Sequence, residues 1–381
     1  MVHSPLGGSV ASRFIACPGS AKLIASIGAV AEDPMLEEYR ERGTEAHRVA
    51  SEALWTHGDA WEISTKLLDA DDQIAVQVYL DYINARPDNA EWVEQLVEAR
   101  SLHPALFGTA DYMQYNAAEC LLEIDDYKHG VGVVVAAVRN AQLMYYAFCA
   151  LHQFLNCRRV KMTIVQPRGF HPDGAIRSWE CSAEEIMEWG NTVLLPAMVK
   201  ASAGSDERHP GSHCQFCPAK LHCSEALALF DECATDDEPT AAMTDARLAE
   251  RFDRIQVVQF VRKAIETEVL RRQLLGHKID TAKLVMQKVD RVFKEGAEVV
   301  FKDRYGAEAY NSPSLKSPAQ MEKLTGGKDL VKHWAYTPQR GFVTARVDDK
   351  RKEVTPPSAA DAFQQYATGV ANADTKRNEG E

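Results

Sequence analysis

The sequence contains no run of eighteen or more apolar residues, so no helix is expected to cross a bilayer. Its first twenty residues, MVHSPLGGSVASRFIACPGS, lack a basic stretch followed by a long apolar core, so a secretory signal is not expected either. An excess of basic residues is also missing: 43 Lys and Arg stand against 55 Asp and Glu, a net charge of −12. That excludes a protein coated in positive charge. It leaves room for one that meets nucleic acid in a local basic groove, and carboxylates that hold metal ions add to a negative balance. No internal repeat is visible. Cysteine, by contrast, is not scarce, with nine in the chain. With no export signal to argue for oxidation, clustered cysteines point to a metal or cluster rather than to disulfides.

What is present reads as a soluble globular protein: 381 residues, 45% hydrophobic and 26% charged, long enough for two domains. Residues 34–57 read as a helix interrupted or started near Gly43, with Ala46, Val49, Ala50, Ala53 and Leu54 at helical spacing. Residues 71–86 and 89–100 read as two further helices. SLHPALFGTADYMQYN looks like two short strands joined near Gly108, and ECLLEIDDYKHG like one strand. RNAQLMYYAFCALHQFL is a helix with Leu143, Tyr146, Ala147 and Ala150 along one stripe. RRVKMTIVQPRG is a strand with Val160, Met162 and Ile164 alternating. SAEEIMEWGNTVLLPAMVKAS is a helix opened by a capping box, Ser182 with Glu185. The polar, acidic segment 234–245 reads as a linker between residues 1–233 and 246–367. A long amphipathic helix over about 245–276 opens the second part, with Val257, Phe260, Val261, Ile265 and Val269 as its apolar stripe. Residues 281–350 mix short strands and a helix, SPAQMEKLTG, and a disordered tail is expected from 368.

The stretch LLEIDDYKHG, residues 121–130, carries the chemistry. Side chains alternate along a strand, so Leu122, Ile124, Asp126 and Lys128 share one face, and Glu123, Asp125 and Tyr127 the other. The first face begins apolar and ends with a carboxylate beside an amine, at the core's edge where a cleft can open. Metal-assisted phosphodiester chemistry needs hard oxygen ligands and a group that orients or deprotonates water. Asp126 and Lys128 can supply both, and a tight antiparallel turn would bring Asp111 beside Asp126. Taken alone, an Asp-x-Lys pair is more often a surface ion pair.

HCQFCPAKLHC places Cys214, Cys217 and Cys223 at metal-site spacing. Cys17 is the candidate fourth ligand, and a site joining it to 214–223 would clasp both ends of the first domain. Four thiolates suit a 4Fe-4S cluster. Zinc, completed by Cys17, His213 or His222, is the rival, and spacing alone does not separate the two. Cys120, Cys149, Cys157, Cys181 and Cys233 read as buried small hydrophobes.

With these residues in view, the chain resembles the PD-(D/E)XK nuclease superfamily, in its RecB-like branch, over about residues 10–225. The resemblance rests on Asp111, on Asp126-Tyr127-Lys128-His129-Gly130, on His47 in GTEAHRVA, on Gln142 and Tyr146 in QLMYY, and on the four cysteines. The second acidic position is Asp126 where many relatives carry glutamate. The whole chain also resembles an uncharacterised phage and prophage protein family. The nuclease resemblance implies an α/β fold, a central mixed sheet flanked by helices with a restriction-endonuclease-like core; beyond it, residues 246–367 read as a C-terminal helical or α+β extension. It implies Mg²⁺ or Mn²⁺ held by His47, Asp111, Asp126 and the Tyr127 carbonyl, with Lys128 positioning water and Gln142 and Tyr146 holding the lysine or the strand. It tips the cysteine site to a structural 4Fe-4S cluster. The activity it implies is a metal-dependent deoxyribonuclease; the phage-like resemblance suggests an exonuclease resecting duplex ends beside a single-strand annealing protein, in the cytoplasm of a bacterial host cell, and a ring-shaped homo-oligomer would suit processive digestion. Ser12 and Arg13 would touch nucleic acid, and among Arg40, Arg42, Arg48, His129 and Arg139 some should face phosphates. A catalytically silent DNA-binding module and a redox-sensing iron–sulfur protein are the alternatives.

Overall fold

The computed structural model describes residues 4–28, 34–56, 68–87, 89–154, 156–235, 243–287, 291–311, 314–337, 342–346 and 351–355. The expected tail from 368, and most of the expected linker, lie outside the described residues. The chain divides into two compact units, Met1–Ala264 and Ile265–Glu381. The division falls inside the long helix Asp245–Leu274.

The first unit is built on a five-stranded mixed sheet in sequence order: β1 (Ala90–Glu98), β2 (Phe107–Asn116), β3 (Leu121–Tyr127), β4 (Arg159–Val165) and β5 (Ile176–Ser182). Every neighbouring pair is antiparallel except β3 and β4, which run parallel with Asp126 beside Ile164. A parallel pair requires a crossover, and the helix α5 (Ala141–Leu151) supplies it. The Asn140 side chain caps this helix, accepting from the amides of Gln142 and Leu143. All residues from Leu143 to Leu151 are buried, in one core with Met113, Leu122, Ile124, Val160, Met162 and Ile164. The opposite side is covered by α3 (Pro34–Trp55), which runs unbroken through Gly43, and α4 (Ala70–Asn84). Helices α1 (Ala11–Ala16) and α2 (Gly19–Ile27) precede them.

Two sequence expectations change. Residues 89–100 form a strand, β1, rather than a helix. Ala, Glu, Gln and Leu favour helix locally, but eight rungs to β2 override that preference. Residues 107–116 form one continuous strand instead of two joined near Gly108. Gly108 does have a use: a Cβ there would meet the Tyr146 ring at 2.8 Å, and one on Gly8 would meet it at 2.6 Å. The Tyr146 ring is therefore seated between two positions that admit only glycine.

Both faces of β3 are buried, not one. On the face away from Asp126, Arg86 reaches Asp125 at 2.6 Å and Glu123 at 2.9 Å. Burial pushes the Asp125 carboxyl up to about 6 against the pull of Arg86. Removing one partner of such a buried pair strands the other, at about 3–5 kcal/mol. Arg86→Met is expected to cost that much in urea unfolding, and Arg86→Met with Asp125→Asn to recover most of it. A loss below about 1 kcal/mol would refute a structural role for the pair.

The second unit has its own small core of Ala297, Phe301, Ala309, Met321 and Val331. Among the described residues the unit holds helices α6 (Ala297–Tyr305), α7 (Pro318–Met321) and α8 (Gly327–Trp334) and three two-stranded sheets. It is an α+β arrangement. No described helix is long and apolar enough to cross a membrane.

Candidate active site

Extending the β2–β3 register one step beyond the Tyr112–Asp125 pair sets Asp111 opposite Asp126. The β1–β2 register likewise sets Glu94 opposite Asp111, between the pairs Val93–Tyr112 and Gln95–Ala110. Three carboxylates thus stand in line across three neighbouring strands. The His47 side chain reaches this row from α3, with Nδ1 3.5 Å from Asp111 Oδ2. One donor atom each from His47, Glu94 and Asp111 lies within 4.8 Å of the others. Asp111 Oδ2 also accepts the Tyr127 amide at 2.8 Å, tying β2 to the end of β3.

Asp126 stands outside that three-residue group and is almost fully buried. Its Oδ1 accepts from Gln142 Nε2 at 2.8 Å. Lys128 Nζ lies 2.8 Å from Oδ2, off the axis of a hydrogen bond, so Oδ2 is otherwise unpartnered. Lys128 Nζ donates to Gln142 Oε1 at 2.9 Å, and Gln142 Nε2 also reaches the Tyr146 hydroxyl at 3.3 Å. Asp126, Lys128 and Gln142 therefore close a triangle, with Tyr146 behind it. Burial pushes the Asp126 carboxyl above its ordinary range, and Asp111 adds to this while Lys128 opposes it. Burial works against the Lys128 charge, but Asp126 and Asp111 outweigh it and hold the ammonium above its ordinary value. Lys128 is thus a charged donor at neutral pH.

Glu94 is the site residue that sequence reading missed. Burial pushes its carboxyl up to about 7, Asp111 contributing and His47 opposing. Its φ of 51° is left-handed backbone in a non-glycine residue. Such strain costs on the order of 1–3 kcal/mol and collects at functional sites. The sequence signal was the register: a strand at 90–98 would have put Glu94 beside Asp111.

Behind the row, the Tyr127 ring stacks on Tyr79 at 4.9 Å and meets His47 edge-on at 5.2 Å. Its hydroxyl is 2.8 Å from His129 Nδ1, and His129 Nε2 is 2.9 Å from Asp72 Oδ1. Arg42 and Arg168 complete the Asp72 pairing. His129 and Arg42 are thus spent on internal pairs, and Arg48 pairs with Glu45 and Glu52. Arg139 stays exposed, 3.3 Å from Glu185.

Cys17, Cys214, Cys217 and Cys223 line one small cavity together with Ser20, His213 and Lys220. Among the described residues, the His/Cys/Asp/Glu group that could hold a metal ion is His47, Glu94 and Asp111, and these cysteines do not form such a group. The segments that carry them are joined directly: Gly19 N donates to Glu207 O at 2.8 Å, and Lys22 pairs with Asp206 at 2.8 Å. Ser12 is exposed, whereas Arg13 turns toward Cys17 and Cys217 and reaches Phe216 O at 3.5 Å. His222 is absent from the cavity lining. Of the other cysteines only Cys149 is buried; Cys120, Cys157, Cys181 and Cys233 are partly exposed.

The architecture is that of an α/β protein with a carboxylate–lysine site on a mixed sheet. The chain matches, over residues 3–352, the family described as Protein of unknown function (DUF2800), and it belongs to that family. A solved structure titled "Crystal structure of SSO0001" is similar at 11% identity, over 54% of this chain and 94% of that one, with a TM-score of 0.25. That likeness is too slight to bear on function.

Proposed function

We propose that this protein is a metal-dependent deoxyribonuclease of the PD-(D/E)XK type, an exonuclease that resects duplex ends. The observation that carries the reading is the closed Asp126–Lys128–Gln142 triangle beside the His47, Glu94 and Asp111 donors. The donor set suits a hard divalent cation: carboxylate oxygens, one imidazole that favours Mn²⁺ over Mg²⁺, and a buried Asp126 carboxylate whose Oδ2 faces the Lys128 ammonium at 2.8 Å. Such a cation supplies Lewis acidity toward the phosphate and a more acidic bound water. The chain's own residues do the rest. Gln142 fixes the Lys128 ammonium, which orients water by donating to it and offsets charge on the phosphate. The Tyr127 ring packs edge-on against His47, and the Tyr146 hydroxyl accepts from Gln142 Nε2.

The four cysteines support a structural 4Fe-4S cluster in this reading. All four line one cavity, where Cys17 joins the three of the 214–223 segment, and four thiolates are the donor set such a cluster takes.

The test is digestion of linear and closed circular duplex DNA with Mn²⁺ or Mg²⁺, using anaerobically purified protein. Loss of the linear form alone is expected. No cleavage under any metal would defeat the reading in favour of a DNA-binding module.

A further inference from the structure

The cysteine cavity has polar groups on its wall that the protein itself does not satisfy. Ser20 is 3% exposed and lines the cavity, and its hydroxyl has no hydrogen-bond partner. A buried hydroxyl without a partner costs about 1–3 kcal/mol, so it is expected where something else accepts from it. Ser20 lies in the first turn of α2, three residues after Cys17, so its place is fixed by the backbone that carries that thiol. Arg13 Nε is likewise buried and unpartnered, and its charge faces Cys217 and Cys17. Lys220 lines the same cavity, anchored through Gln215 O at 2.7 Å, with its charge facing Cys217 and Cys214. Burial lowers the pKa of both cations while the thiolates oppose it. Two partly buried cations and one buried donor around four thiols make little sense for a neutral, apolar pocket. They make sense around a group of net negative charge with sulphur acceptors.

Resting on the iron–sulfur reading of these cysteines, we propose that Ser20, Arg13 and Lys220 form the polar shell of the cluster. The Ser20 hydroxyl would donate to a cluster sulphur, and the two cations would offset the charge of four thiolates. A 4Fe-4S²⁺ core with four thiolates carries −2, and taking up one electron makes it −3. A hydrogen-bond donor and two cations stabilise the more negative state more, so they raise the reduction potential. Arg13 then acts on the cluster rather than on nucleic acid.

The test is a mediated dithionite titration, followed by optical spectroscopy, of the full chain purified anaerobically. Wild type is compared with Ser20→Ala, Ser20→Thr and Lys220→Met. Ser20→Ala and Lys220→Met are each expected to weaken reduction about tenfold, a shift of about 59 mV to the negative for a one-electron couple. Ser20→Thr, which keeps the hydroxyl, should stay near wild type. A wild-type protein that carries zinc, or no iron, would overturn the iron–sulfur reading and this inference with it. A cluster-loaded wild type whose two variants shift less than twofold would overturn the inference alone. Should Lys220→Met fail to fold, Ser20→Ala decides, because removing an unpartnered hydroxyl takes no hydrogen bond from the protein.

Discussion

Lys128→Ala is expected to slow cleavage of linear duplex about 10²–10⁴-fold in single-turnover assays, with DNA binding retained. The magnitude follows from what the ammonium is. It remains charged because Asp126 and Asp111 outweigh its burial, and Gln142 holds it in one place. In the proposed nuclease this fixed, partly desolvated charge would face the reacting phosphate and act with little reorganisation, which is what makes such groups worth several kcal/mol. The same substitution leaves the Asp126 carboxylate buried with Gln142 as its only neutral donor. Its pKa, already above the ordinary range, then rises further. A carboxyl raised in the folded state contributes stability that is lost as pH rises through that folded value. The thermal stability of Lys128→Ala should therefore fall further behind wild type at pH 8 than at pH 5. A loss of activity below tenfold, with no such widening gap, would remove Lys128 from the reaction.

Glu94→Gln should act in opposite directions on stability and on metal binding. The Glu94 carboxyl stands at about 7 in the folded chain, against an ordinary value of 4.5. The metal-free protein thus loses stability from this residue as pH rises from about 4.5 through 7. Glutamine removes the charge, so the variant should melt higher than wild type without metal, by a larger margin at pH 8 than at pH 5. Adding Mn²⁺ should reverse the order, because wild type gains stability by binding and the variant binds about 10–100-fold more weakly. Equal Mn²⁺-induced shifts in the two proteins would show that Glu94 is not a ligand.

The part of this site legible in the sequence is the part carried by one segment. Asp126 and Lys128 share a face because strand side chains alternate, and Gln142 and Tyr146 follow on the next helix at a spacing that stacks them. Glu94 was not legible, because its segment is composed of helix formers and becomes a strand only by pairing with β2. The pairing of Arg86 with Glu123 and Asp125 was hidden for a similar reason. Alternation told which residues share a face, but not that α4 would cover the second face and bury it. The short strand β5 went unread because Ile176–Ser182 is polar at most positions, and it is defined by its seven rungs to β4. The seat of Tyr146 between Gly8 and Gly108 joins three distant segments, and nothing local announces it.

The joining of α2 to the 206–208 segment has a consequence for synthesis. Phe14 and Ala11, made early, are buried in the same core as Ala197 and Met198. The partners of Cys17 and Gly19 emerge roughly two hundred residues later, about 10–40 s at ribosomal speeds of ~5–20 residues per second. Ala11 and Phe14 can close on the helix Ala141–Leu151 as soon as it is made, but α2 must wait for the 206–208 segment it joins. The second helix of the chain is therefore among the first pieces made and among the last to settle. A translational pause once residue 223 has cleared the ribosome would give it time to dock before the second unit appears.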